Sequence, residues 1–190
     1  MKGISGSLKL LLALMGCCFI SGIQPAGAVD VNIKITGEIY VPPCKINGND
    51  AEIQVAFDGM SLYDVDGYKN AKTKTKTVTV SCDYYQGTPY IRMDGTVLSG
   101  AGDNVLETVG ANPSTLGIAL YQGGDVNAAF PLRIGAGEQG KYGYKITRGL
   151  TGQNTASGLF TFTAVPRKYG AGALNAGTFR ATATMSISYL

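Results

Sequence analysis

The sequence predicts an all-β sandwich. Three observations lead there. Apolar and polar residues alternate with period two in one segment after another, Gly- and Pro-bearing turn signals separate those segments, and no stretch shows a convincing period of 3.6. Thr and Tyr are abundant, Gly occurs 27 times and Trp is absent. Short strands at regular turn spacing are the pattern of a sandwich.

Residues 1–28 stand outside that fold. Lys2 and Lys9 bracket a short basic region, an apolar run follows over roughly 8–20, and Ala26-Gly27-Ala28 fits the small-x-small cleavage rule. The segment reads as a signal peptide, with the mature chain starting at Val29. The run is short for a membrane span, and no later segment approaches about 20 apolar residues. Leu14-Met15-Gly16-Cys17 loosely resembles a lipoprotein box that would leave a lipid on Cys17. Met15 fits that box poorly, and the apolar run continues past the Cys pair.

The first mature segment, VDVNIKITGEIYVPPC (29–44), alternates strictly. Val31, Ile33, Ile35, Gly37 and Ile39 share one face; Asn32, Lys34, Thr36, Glu38 and Tyr40 share the other. Pro42-Pro43 cuts this strand from the rest of the chain. On pattern alone it is either an ordinary strand of its own sheet or a strand seeking another groove. The expected division is therefore a leader (1–28), an N-terminal extension (29–42) and one β domain (43–190).

Further along, strands are expected in TKTVTVSC (75–82), TPYIRMDG (88–95), TLGIALYQGG (115–124), AAFPLRIG (128–135), GKYGYKITRGL (140–150) and SGLFTFTAVPRKYG (157–170). The last, GTFRATATMSISYL (177–190), places Phe179, Ala181, Ala183, Met185, Ile187 and Tyr189 on one face. It runs to the end of the sequence at Leu190.

Composition narrows the function classes. Without the leader, 14 basic residues face 13 acidic ones, which gives no basic stripe for nucleic acid. The one basic cluster, Lys72, Lys74 and Lys76 in AKTKTKTVTV (71–80), reads as a solvated strand end or a Lys-guarded edge. There is no His, so Ser-His-Asp, Cys-His and His-metal chemistry are excluded. GAGEQG (135–140) matches G-x-G-x-x-G as a string but lacks the βαβ context and reads as a loop. YDVDGYKN (63–70) reads as a surface turn, because a calcium loop would need a distal Glu. Asn112 precedes Pro113 and is no glycosylation acceptor. No cofactor or metal is expected. Cys44 and Cys82 remain in an exported chain, so a disulfide is the default pairing.

The stretches ITGEIYVPPC (35–44), GIALYQGG (117–124), FTFTAVP (160–166) and GALNAGTFRATATMSISY (172–189) resemble chaperone–usher pilus subunits of the type 1 and P kinds, nearest to the minor tip-adaptor type. Gly177, fourteenth from the end, and the penultimate Tyr189 resemble the C-terminal motif of these subunits. The Cys44–Cys82 pair matches their disulfide.

That resemblance implies an incomplete immunoglobulin-like sandwich lacking strand G. Val31, Ile33, Ile35, Gly37 and Ile39 would be the face of a donor strand that enters a neighbouring subunit's groove. Gly177, Phe179, Ala181, Ala183, Met185, Ile187 and Tyr189 would belong to the strand that pairs with an incoming donor, and Leu190 would supply a carboxylate held by the chaperone. The implied partners are a periplasmic chaperone, an outer-membrane usher and neighbouring subunits including an adhesin. The implied destination is the fimbria on the bacterial surface, reached through the periplasm. A major rod pilin is the nearest alternative role. A chain-terminating subunit and one that binds host glycans through some of its Tyr residues are others.

Overall fold

The computed structural model describes residues 31–48, 50–66 and 71–190. The leader, its cleavage point, Cys17 and the first two residues of the extension lie outside the described residues, as do residues 67–70 of the expected surface turn. The chain divides into two units, one ending at Glu38 and one spanning Ile39–Leu190. No helix among the described residues is long and apolar enough to cross a membrane.

The second unit is a two-sheet sandwich, as its period-two segments require. One sheet has the order β1-β2-β8-β6-β4. Its members are β1 (Lys45–Ile46), β2 (Lys74–Ser81), β8 (Ser157–Lys168), β6 (Leu116–Gln122) and β4 (Val105–Glu107). The other sheet is β10-β3-β7, built from β10 (Ala183–Tyr189), β3 (Pro89–Gly95) and β7 (Tyr144–Lys145). A two-stranded ribbon joins β5 (Val109–Gly110) to β9 (Phe179–Arg180). All the paired strands are antiparallel.

Alternation puts Val78, Val80, Phe160 and Phe162 on the inner face of the first sheet, against Ile91, Met93, Ile187 and Tyr189 of the second. Strand β6 is buried along its whole length. Its Ile118 and Leu120 join this core, while Ala119 and Tyr121 face outward into a smaller cluster with Leu98, Val105 and Val165. A continuously apolar strand in an antiparallel sheet thus has its explanation in a loop that covers its outer face.

Four sequence expectations change. AAFPLRIG (128–135) is not a strand; its ladder pairing is limited to the isolated bridges Tyr121↔Pro131 and Met93↔Gly135, although Leu132 and Ile134 are buried in the core. Pro131 has no N–H to give a ladder. GKYGYKITRGL yields a 3-10 turn (Gly140–Tyr142) followed by the two-residue β7. The expected C-terminal strand is two strands, β9 and β10, because residues 179–180 pair with β5 and residues 183–189 with β3. The expected turn at 63–70 begins as a short helix, α1 (Leu62–Asp66).

The disulfide Cys44–Cys82 is formed, with an S–S distance of 1.99 Å across a sequence separation of 38, and both residues are buried. Lys72 is tied by its ammonium to the carbonyls of Asp58 and Gly59 and lies 3.8 Å from the Asp64 carboxylate. Lys74 and Lys76 continue the inward-facing register of Val78 and Val80 at the sandwich rim, a placement that discourages edge-to-edge pairing.

Candidate functional site

The C-terminal strand sets the geometry. Leu190 and Thr88 exchange backbone bonds: Thr88 N–H donates to the Leu190 oxygen at 2.7 Å, and Leu190 N–H donates to the Thr88 carbonyl at 2.9 Å. In an antiparallel ladder such exchanged pairs alternate with pairs whose amide groups point away. The even-numbered residues of β10 therefore bond to β3, and the N–H and C=O groups of Ala183, Met185 and Ile187 point toward the strand's other edge. At Ile187 that edge is closed, since its carbonyl accepts the Cys44 N–H at 2.7 Å. At Ala183 and Met185 no backbone partner stands on that edge among the described residues.

Beside this open edge lies an apolar cleft of about 600 Å³. One wall carries Phe179, Ala181, Ala183 and Met185. The floor is the core itself, with Met93, Leu106, Leu120, Leu132 and Phe162 reaching it from both sheets. The opposite wall is Ile53, Val55 and Phe57. These three alternate with the exposed Glu52, Gln54 and Ala56 and are only half-buried, in a segment assigned to no strand. Phe57 and Phe179 face each other with ring centroids 6.5 Å apart.

The sequence-predicted strand residues thus separate into two groups. Phe179, Ala181, Ala183 and Met185 line the cleft with Gly177. Ile187 and Tyr189 are fully buried in the core. Burial pushes the Tyr189 phenol above its ordinary pKa, and a backbone group of Asn154 partly offsets this. Leu190 closes the ladder at the chain end. Gly87, at φ +104°, packs so tightly on the Leu190 carbonyl that any Cβ there would run into it. Gly177 is required by contact, because a Cβ would sit 2.6 Å from that of Ala111. On the solvent face of β3, the Arg92 guanidinium grips Asp94 with two bonds of 2.8 Å and holds its carboxyl below the usual range.

The residues expected to form a donor strand lie in the extension. Val31, Ile33, Ile35 and Ile39 are 77, 83, 90 and 102% exposed, and residues 31–43 form no strand. Nothing lies within 4 Å of where a Cβ on Gly37 would stand. These apolar side chains are therefore exposed, as are the polar residues that alternate with them.

The wall formed by Ile53, Val55 and Phe57 was not anticipated from sequence. Its signal is present in AEIQVAF (51–57), which alternates like a strand. Only the topology shows that it borders a cleft.

Residues 33–190 match the family described as Fimbrial protein. The chain is 41% identical over 173 residues to the fimbrial adapter PapF of Escherichia coli, covering 90% of this chain and 96% of that protein. The solved structure of the P pilus adaptor subunit PapF is 35% identical and matches with a TM-score of 0.50, over 80% of this chain and all of that one. The P pilus rod subunit PapA, 21% identical, matches with a TM-score of 0.55 over 84% of this chain and all of that one, a likeness of fold. With a family match spanning most of its length and an adaptor relative above 40% identity, the chain belongs to the fimbrial protein family of chaperone–usher pilus subunits.

Proposed function

We propose that the chain is a minor tip adaptor of a chaperone–usher fimbria, linking an adhesin to the fibrillum through two joints. In one, residues 31–39 enter a neighbour's cleft as a donor strand. In the other, a strand from the next subunit enters this chain's own cleft, between β10 and residues 53–57. As a fimbrial subunit the chain is exported through the periplasm and assembled on the cell surface, and its family is one of structural subunits.

One observation carries the reading: an apolar cleft opening straight onto the core runs beside a strand edge whose amides at Ala183 and Met185 have no backbone partner on that side among the described residues. Main-chain bonds to that edge would give an incoming strand affinity, and its alternate side chains would fill the cleft. The likeness to an adaptor in sequence and in structure supports a linking role over a rod role. A periplasmic chaperone would occupy the same cleft before assembly, and transfer would take place at an outer-membrane usher.

Co-expression with a P-type pilus chaperone, followed by affinity purification and native mass spectrometry, tests this. The intact chain should give a one-to-one complex, and a chain truncated after Gly177 should give none. A stable free monomer that ignores the chaperone would show that the sandwich closes on itself. Self-polymerisation of the purified subunit would favour a rod role over an adaptor.

A further inference from the structure

The wall containing Phe179 and Ala181 is not held by the sheet that holds the rest of β10. Phe179 and Arg180 pair with β5, β3 takes over only from Ala183, and Ala181 and Thr182 between them belong to no strand. This part of the wall therefore depends on residues 109–112. Ala111 N–H donates to the Thr178 carbonyl at 3.1 Å. Asn112 makes the stronger tie, with its side-chain nitrogen donating to the Asn175 carbonyl at 2.9 Å and its side-chain oxygen accepting the Asn175 N–H at 2.8 Å.

Asn112 is itself fixed from behind. It is 7% exposed. Its carbonyl accepts the N–H groups of Thr115 and Leu116 at 3.3 and 3.0 Å. The fully buried Thr108 hydroxyl donates to the Leu116 carbonyl at 2.8 Å and lies 3.4 Å from that of Asn112. A side-chain amide offers a donor and an acceptor together, as a strand residue's backbone does. Asn112 thus supplies a ladder rung where the backbone has none. Gly177 and Phe179 border both the main cleft and a second pocket of about 220 Å³, whose lining includes Asn112 and Asn175. The clamp stands where the two meet.

We propose that Asn112 is a positioning residue for the cleft: by gripping Asn175 it presets residues 175–181 as a wall before a strand arrives. The proposal rests on the strand-accepting reading of the cleft. It predicts that Asn112→Ala acts locally. Amide hydrogen exchange at residues 175–181 should accelerate at least tenfold while residues 183–189 stay within twofold and the melting midpoint falls by no more than a few degrees. Co-expressed with the unaltered chain under limiting P-type chaperone, the variant should be captured at least tenfold less. Asn112→Ser keeps one uncharged hydroxyl in place of the amide's paired donor and acceptor, so it should fall between, and it decides the matter alone if the Ala variant does not accumulate. Exchange that rises throughout the sandwich would overturn the proposal and make Asn112 a general core residue. So would unchanged exchange, or a local rise without any deficit in capture. If the unaltered chain forms no chaperone complex, the strand-accepting reading fails, and exchange on the free chain still decides whether the clamp exists.

Discussion

Ile35 sits at the centre of the exposed face of the extension, between Ile33 and Gly37. Replacing it with Asp would place a carboxylate where a donor strand must lose water, and burying an unpaired charge is costly enough to exclude insertion. If the chaperone fills the cleft at the other end of the chain as proposed, Ile35→Asp should leave its capture intact and should abolish linkage to the next groove. Recovery of the variant as a normal link in isolated fimbriae would sink the donor assignment. Tyr189 makes a second prediction at this scale. Its phenol titrates higher when folded than the ordinary value of 10.0. The folded state therefore binds the proton more tightly. That stabilisation is fully present below about pH 10 and is lost as pH rises through the elevated folded value. The Tyr189 phenol should make no pH-dependent contribution to denaturant midpoints below about pH 10 and should lower them above it, and Tyr189→Phe should reduce that fall.

At the scale of elements, Cys44 connects three things. Its disulfide ties the start of the domain to the end of β2, and its N–H closes the β10 edge at Ile187. Cross-linking a loop of this size stabilises by roughly 4 kcal/mol on the chain-entropy argument. A Cys44→Ser, Cys82→Ser pair should cost about that much in equilibrium unfolding and should raise amide exchange around Ile187. A loss confined to β1 and β2 would show that the bond does not support the cleft. The sequence made the long elements readable because β2, β3, β6, β8 and β10 each run for seven residues or more. It did not reveal β1, β4 or β5, which span two or three residues and exist only because a partner lies opposite. AAFPLRIG alternates well enough to read as a strand, but Pro131 leaves it with bridges alone. The break in the C-terminal strand at Ala181 is likewise a matter of partners, with β5 on one side and β3 on the other. In the same way Asn112 gave no functional signal in sequence, since only the fold brings it to Asn175.

At the scale of the whole molecule, the cleft is a gap in the core between the two walls, and its floor residues belong to the same cluster as Phe160 and Ile187. Filling it completes one hydrophobic core and does not merely add a surface contact. Four aliphatic side chains of the kind carried by Val31, Ile33, Ile35 and Ile39 would contribute on the order of 6–12 kcal/mol on burial, before the cost of ordering the strand. The strand would also cap the open edge at Ala183 and Met185, so that leaving the cleft requires breaking a ladder and reopening the core together. Such interactions slow unfolding most when they form late on the folding path. A subunit holding a neighbour's strand should therefore unfold in guanidinium orders of magnitude more slowly than the same subunit with its cleft empty. Stopped-flow and manual-mixing kinetics on the two forms measure this directly. Equal unfolding rates would mean that the incoming strand lies on the surface and that the cleft is not where subunits join.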